Sequence, residues 1–453
     1  MSGGEQFGGL ADRILGGALH GGANEAEAFF AHGRELTVKA FEGDVEALTS
    51  AESQGVGVRV FRDSRMGFAY TSDLTASGLQ RVVAEALDAC RYNEPDEHNG
   101  LPELVSLDDM PELVAADFEA RSVEERVAMA LELERLTVSQ HPAVKRASVA
   151  AYSDERGRVE LYNTRGLRGA YEATVAYAYV EAIAEQGEEM QSGFSYTYGR
   201  SAPALDLHAC AAEAADRGAR LLGASQVPSR TVPVLFEPWA AAELLGTLAS
   251  SISAEAVQKG RSLLAGRLGE TIASPCITVV DDGRRADGMA SRPWDGEGVS
   301  TQRTVIIDGG VLRSYLHNTY TARRDGSARS TGNASRGSHK STPELAPSNL
   351  VLVPGEESGE ALLQRMGDGV LISDVHGLHT VNPVTGEFSL GINGFLVAGG
   401  QRGAPVREMT VAGTILGLLQ AVEAVGSDLR FMVGGGFVGA PSLLVREMTL
   451  SGA

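Results

Sequence analysis

The sequence predicts an α+β protein, with an N-terminal domain of duplicated strand–helix units and a β-rich C-terminal domain. Three observations carry this expectation. The first half repeats one pattern, an aromatic strand end running into an amphipathic helix. The second half breaks into short apolar runs separated by Gly-bearing turns, which read as strands. At 453 residues the chain is long enough to bury two or three cores.

The repeat orders the first half. In its first copy, 36-LTVKAFEG-43 and 55-GVGVRVFRDSRMGFAY-70 read as strands, with a hairpin turn at Asp63–Ser64. The strand end 67-GFAYTSDL-74 leads into a helix on which Leu79, Val82, Val83, Ala86 and Leu87 recur at helical spacing. In the second copy, 145–163 and 170–185 read as strands, with a turn expected at Asp154–Gly157. There 193-GFSYTYGR-200 leads into 204-ALDLHACAAEAADRGARLL-222, a helix with a small-residue face. The expected duplication spans 24–91 and 141–223, inside a first domain of 1–223. Between the copies, the Pro- and acid-rich stretch 91–117 reads as an irregular connector. Ser122 with Glu125 forms a capping box that opens a helix expected to stop before Pro142.

The second domain, 224–453, begins with a strand at 232–237 and a helix over 238–256. Strands are then expected at 276–282, 303–318, 350–355, 370–377, 387–400, 405–415 and 441–452. Asp308–Gly309 and Gly399–Gly400 are the hairpin-turn signals.

Composition narrows the function classes. The chain has 39 basic and 59 acidic side chains, a formal charge of −20, which argues against direct nucleic-acid binding because phosphates need a basic surface. Cys90, Cys210 and Cys276 are odd in number and far apart, which fits a reducing compartment and excludes a disulfide framework. No stretch of 18 uninterrupted apolar residues and no basic amphipathic helix is visible, so a cytoplasmic protein without membrane contact is expected.

Chemistry-bearing residues are sparse. No HExxH, P-loop, nucleophile elbow or CxxC is present. Asp374, His376 and His379 lie within six residues. Two readings stay open for them: a zinc site completed by His339, His317 or Cys276, or turn histidines lining a cleft. The helix 238–256 carries no histidine, and Glu243 alone activates no water. His317, Asn318 and Tyr320 are expected to end a strand and project donors into a cleft, while Asn333 and Arg336 sit in a polar Gly/Ser-rich loop. The Gly-rich edge 386-GEFSLGING-394 suits an extended peptide added as a strand, with Asn382, Ser389 and Asn393 at its rim.

Several long segments matched in order add a family. They are 56-VGVRVFRDSRMGFAYTSDL-74, 188-EEMQSGFSYTYGR-200, 290-ASRPWDGEGVSTQRTVIIDGGVLRSYLHNTYTARRDG-326, 330-STGNA-334, 379-HTVNPVTGEFSLGINGFLV-397 and 406-VREMTVAGTI-415. Over essentially its whole length the chain resembles the TldD/PmbA family, associated by name with modulation of DNA gyrase. The resemblance implies a zinc metallopeptidase in the TldD-like branch, with His-Glu, three residues, then His on a helix, and a cysteine near the C-terminus. The TldE/PmbA-like branch lacks these ligands and pairs with the first as a heterodimer. Here the equivalent helix reads 237-EPWAAAELLGTLAS-250 and the cysteine region 430-RFMVGGGFVGAPSLLV-445; neither holds a ligand. The resemblance therefore implies the non-catalytic, metal-free half of a complex that processes unfolded or modified peptides. Zinc would sit in a TldD-like partner, and the isolated chain is expected to dimerise. Two alternatives remain: a divergent homodimeric metallopeptidase using Asp374, His376 and His379, and a binding or scaffold protein without a peptidase partner.

Overall fold

The computed structural model describes residues 6–104, 110, 113–326, 329–433 and 437–452. Two compact units emerge. The first contains residues 1–219, 292–301 and 318–344; the second contains 220–291, 302–317 and 345–453. The chain thus returns twice to the first unit after leaving it, so the units do not coincide with a single cut at 223.

The first unit is built on a six-stranded antiparallel sheet ordered β3-β2-β1-β4-β5-β6. After α1 (Gly8–His20) come β1 (Glu25–Phe41), β2 (Asp44–Arg62), β3 (Arg65–Thr71) and α2 (Ala76–Ala89). The same series follows as α3 (Val123–Gln140), β4 (Val144–Asn163), β5 (Arg168–Gln186), β6 (Glu189–Gly199) and α4 (Leu207–Ala219). The two copies meet at the antiparallel β1–β4 pair in the middle of the sheet, and each runs outward in the same order. The duplication seen in the sequence is therefore a helix–three-strand–helix unit.

Alternation along β1 separates two faces. Ala26, Ala28, Phe30, Leu36, Val38 and Ala40 are buried, and the first three pack with Val56, Val58, Leu79 and Val82 in the core beneath α1 and α2. Asp63 and Ser64, at φ 51° and 62°, make the expected left-handed hairpin turn. Ser122 and Glu125 form the expected capping box of α3.

The turn expected at Asp154–Gly157 is absent: β4 runs unbroken across it. Asp154 is buried, receives the Tyr152 hydroxyl at 2.6 Å, and lies 3.2 Å from Arg126 of α3. Arg158 pairs with Glu160 and Glu172. Asp154 and Arg156, which read as a turn, and Arg158 beside them are thus paired on the strand. The chain instead turns at Gly166 and Gly187, at φ 95° and 64°.

In the second unit, β7 (Arg230–Phe236) precedes α5 (Pro238–Thr247) and α6 (Ala254–Gln258). The single helix expected over 238–256 is broken. Short polar side chains compete with the helical backbone there: Ser253 caps α6, and the Ser251 carbonyl accepts the Ser262 hydroxyl at 2.6 Å. Next come β8 (Val279–Asp282), β9 (Arg303–Asp308) and β10 (Val311–Leu312). The hairpin turn falls on Gly309 and Gly310, one residue later than expected.

The second return to the first unit contains α7 (Thr319–Asp325), where a strand end was expected, and β11 (Ala334–Ser335), which pairs with β12 (Glu344–Leu345). Asn318 caps α7 through a reciprocal bond with Thr321, so this polar run starts a helix instead of ending a strand.

The remaining elements are β13 (Asn349–Leu352), α8 (Gly359–Met366), β14 (Gly369–His376), β15 (Glu387–Ala398), β16 (Gln401–Thr414), α9 (Ile415–Ala421), β17 (Val422–Val425), β18 (Arg430–Val433), β19 (Phe437–Ala440) and β20 (Leu443–Ser451). One sheet is ordered β16-β15-β14-β7-β20-β17 and closes by β16–β20 pairing at Thr410↔Ser451 and Val411↔Leu450. Closure protects the barrel strands' edges. Its interior holds Val234, Phe236, Ile372, Phe388, Leu390 and Ile392. A further sheet is ordered β10-β9-β8-β13-β19-β18. Among the described residues no helix is long and apolar enough to cross a membrane.

Candidate functional site

The segments to which the family resemblance assigns zinc ligands meet in the second unit, where α5 packs on the β18–β19 hairpin. Arg220 pins the start of α5 by donating to both oxygens of Glu237, at 2.9 and 2.6 Å. Pro238 occupies the first turn, where a missing N–H costs nothing. Trp239, Ala240, Ala241, Ala242, Leu244 and Leu245 are buried. Arg430 lies over the Trp239 ring at 5.2 Å, Phe431 stacks on Phe437 at 4.4 Å, and Arg285 covers Phe431 at 4.8 Å. A zinc centre needs imidazole, thiolate or carboxylate donors converging on one point. On α5 only Glu243 offers such a group; hydrocarbon, indole and guanidinium fill the rest. These residues do not fit the metal. Part of the cysteine region, 434–436, lies outside the described residues.

The other candidates divide between the two units. On the outer face of the barrel, His376 Nε2 lies 3.1 Å from Asn393 Nδ2, and Asp374 is the strand partner of Asn393. Asp374 accepts the Ser373 hydroxyl at 2.7 Å. Gly377, at φ 83°, ends the strand and sends exposed His379 into a short 3-10 turn. Ser389 is exposed on β15, on the Asn393 side of its alternation. Asn382 is consumed by the adjoining turn: its side-chain oxygen accepts the amides of Val384 and Thr385 at 2.9 and 3.1 Å. His317 is buried. Among the described residues, no three His, Cys, Asp or Glu side chains are grouped to hold a metal ion.

In the first unit, Asn318 is the α7 cap and Tyr320 donates to Asp96 at 2.8 Å. That contact, after the His98 amide, holds the Asp96 carboxyl below its usual range. Buried Asn333 receives the Thr331 hydroxyl at 2.6 Å. Arg336 is wholly internal. It bonds Glu27 and the Gly296 carbonyl, the latter at 2.8 Å, and lies over Phe29 at 4.7 Å.

Arg336 belongs to a buried charge cluster that sequence reading missed. Arg59 joins Glu27 at 3.1 Å and Glu297 at 3.0 Å. Glu297 also accepts the Thr319 amide at 2.9 Å. Asp295 accepts the amides of Glu297, Val299 and Ala334 at 2.9–3.0 Å. Glu27 and Arg59 are strand partners on one sheet face; the other members arrive with the two returning segments. Burial pushes Arg336 down to about 10 against the pull of Glu27. Burial also opposes the charge on Arg59, but Glu27 and Glu297 overcome it and raise its pKa. The cluster fastens residues 292–301 and 318–344 to the sheet and offers no open coordination position. The available signal was an acid–arginine pattern inside apolar strands, Glu27 in 25-EAEAFF-30 and Arg59 in 56-VGVRVF-61.

A duplicated α/β unit, a closed barrel and a helix–hairpin pair define a metallopeptidase-like architecture, and among the described residues no group of His, Cys, Asp or Glu side chains is placed to hold a metal ion. Residues 229–452 match the PmbA/TldA metallopeptidase C-terminal domain, 26–90 match its domain 1, and 116–222 match its central domain. The chain belongs to the PmbA/TldD metallopeptidase family. It is 28% identical to metalloprotease PmbA of Escherichia coli O157:H7 over 95% of this chain and 93% of that protein. It is 30% identical to an uncharacterized Methanocaldococcus jannaschii protein over 81% of this chain and 83% of that one. A Thermotoga maritima crystal structure named for modulation of a DNA gyrase superposes with TM-score 0.90 at 30% identity, covering 98% of this chain and 100% of that one. TldE from Thermococcus kodakarensis shares the fold, with TM-score 0.90 at 23% identity over 98% of this chain and 100% of that one.

Proposed function

We propose that this chain is the non-catalytic, metal-free subunit of a TldD/TldE-type zinc metallopeptidase complex that processes unfolded or modified peptides in the cytoplasm. The observation that carries the reading is the composition of α5 and its hairpin. Family membership supplies a metallopeptidase frame, yet this position is packed with Trp239, alanines, leucines and an Arg–aromatic stack. Such a site polarises no carbonyl and activates no water. The catalytic zinc then belongs to a TldD-like partner, and this chain contributes binding surface and closure.

His376, Ser389 and Asn393 on the outer barrel face are the residues we assign to peptide contact in this unit, with His379, Asn382 and His317 supporting the surrounding turns and packing. Asn318, Tyr320, Asn333 and Arg336 hold the returning segments in place. The His376–Asn393 pair offers one donor–acceptor couple beside a strand whose glycines admit a close backbone. Mixing the purified chain with a TldD-like subunit tests the proposal. A larger species with peptidase activity, which neither chain has alone, is expected. No larger species and no gain in activity would overturn it.

A further inference from the structure

We propose that the face of the first sheet opposite its helices binds cationic side chains of an extended peptide. This deepens the peptide-complex reading and rests on it only for the choice of a peptide as occupant.

The face is set by alternation. Odd-numbered residues of β1 lie opposite the helix-covered core. At one end, the segments returning from the second half of the chain cover Glu27, Phe29 and Ala31 through Trp294 and Arg336. Farther along β1, the same face carries Gly33, Glu35, Thr37 and Lys39; Glu35 is exposed and the other three are half-buried. Their partners on β4 are Gly157, Glu155, Ser153 and Ala151, of which Ser153 and Ala151 are buried. On β5 the rows continue with Ala173, Val175, Tyr177 and Tyr179, and on β6 Tyr198 and Tyr196 stand opposite the two tyrosines.

Two features mark a cation surface. First, Glu35 and Glu155 are direct cross-strand partners, an arrangement that costs stability unless something neutralises it. Both are exposed, and no ion pair joins either of them to a basic residue among the described residues. Glu35 accepts the Thr37 hydroxyl at 3.1 Å. The Glu155 carboxylate lies over a glycine floor: a Cβ at Gly33 or Gly157 would sit 3.5 or 3.8 Å from its Oε1. Lys39 also lies on this face, as does Glu181, which accepts the Ser148 hydroxyl at 2.5 Å.

Second, the adjoining rows carry a continuous aromatic ladder. Tyr177, Tyr179, Phe194, Tyr196 and Tyr198 follow one another at ring separations of 6.0–6.2 Å. Phe194 is 39% exposed, and the tyrosines are half-buried. Ring faces beside unneutralised carboxylates attract ammonium and guanidinium groups. An extended chain laid along the strands presents alternate side chains to one surface. A peptide with lysine or arginine at every second position therefore matches both the acid row and the ladder.

The test uses the full-length chain and a fluorescent, unstructured 12-residue peptide with lysine at alternate positions, alongside its glutamate counterpart. The lysine peptide is expected to bind at least about tenfold more tightly, and E35Q/E155Q to lose about tenfold of that affinity. E94Q/E97Q removes the same charge from exposed positions elsewhere and is expected to stay within about twofold of the parent. Relief of the like-charge pair keeps E35Q/E155Q at least as stable as the parent, so thermal unfolding confirms that it is folded. Hydrogen exchange with the parent is expected to show peptide-dependent protection in β4, β5 and β6. Equal loss in both double variants, unchanged binding in E35Q/E155Q, or protection confined to other elements would overturn the proposal. Such a failure leaves zinc content and reconstituted peptidase activity unaffected, and so is distinguishable from failure of the complex reading.

Discussion

Four charged side chains of the first unit are internal fasteners. Glu27, Arg59, Glu297 and Arg336 are all buried against one sheet face, far apart in the chain. Arg59→Met leaves Glu297 without its ion-pair partner and is expected to cost about 3–5 kcal/mol in urea unfolding; a cost below about 1 kcal/mol would show that the cluster is not holding the fold. Asp295 gives a pH signature. Burial first, and the Glu297 charge second, push its carboxyl up to about 7. An unfolded Asp titrates near 3.9, so the folded protein keeps a proton between about pH 4 and 7 that the unfolded chain has released. Stability from this group falls as pH rises through that window, by up to about 1.4 kcal/mol per unit, and levels off above it. Asp295→Asn does not titrate, so its stability relative to the parent should rise from pH 4.5 to 7.5, and a constant difference would contradict the assignment. Only Glu27 and Arg59, as charges inside apolar strands, left a signal in the sequence. Arg336 looked like a loop donor because burial by segments hundreds of residues apart leaves no local pattern.

Elements were more legible than partners. The Asp63–Ser64 and Gly399–Gly400 turns, the Ser122–Glu125 cap and the repeated strand–helix texture all carry local chemistry, and the structure has them. The Asp154–Gly157 turn and the unbroken helix over 238–256 failed for opposite reasons. Tertiary ion pairs keep charged residues on β4, while serines capping and bonding the backbone interrupt the helix after Thr247. The short helices α8 and α9 offered only their caps, Ser358 and Thr414, as signals. Close approach is also an element-scale property. A Cβ at Gly55 would fall 2.3 Å from the His339 ring, and one at Gly57 would fall 2.4 Å from the His339 carbonyl. Gly57→Val therefore displaces backbone and is expected to free the 334–344 segment, which limited proteolysis would read as faster cleavage there. Cleavage at the parental rate would show that the strand can accommodate the side chain.

The molecule as a whole joins the frame of a metallopeptidase family to a helix–hairpin pair packed with an Arg–aromatic stack. The missing histidines and cysteine were legible in the sequence because a ligand set is a matter of residue type. What fills the space required the fold, since Trp239, Arg430 and Phe431 are brought together only by packing α5 on the hairpin. On the proposed function, this chain supplies no catalytic zinc and works beside a subunit that does. Zinc content, measured by mass spectrometry on the purified chain after dialysis against zinc and then buffer, tests it most directly. Well under about 0.1 zinc per chain is expected, since no converging donor set among the described residues holds the ion. About one tightly held zinc per chain, with peptide cleavage in the absence of any partner, would contradict it.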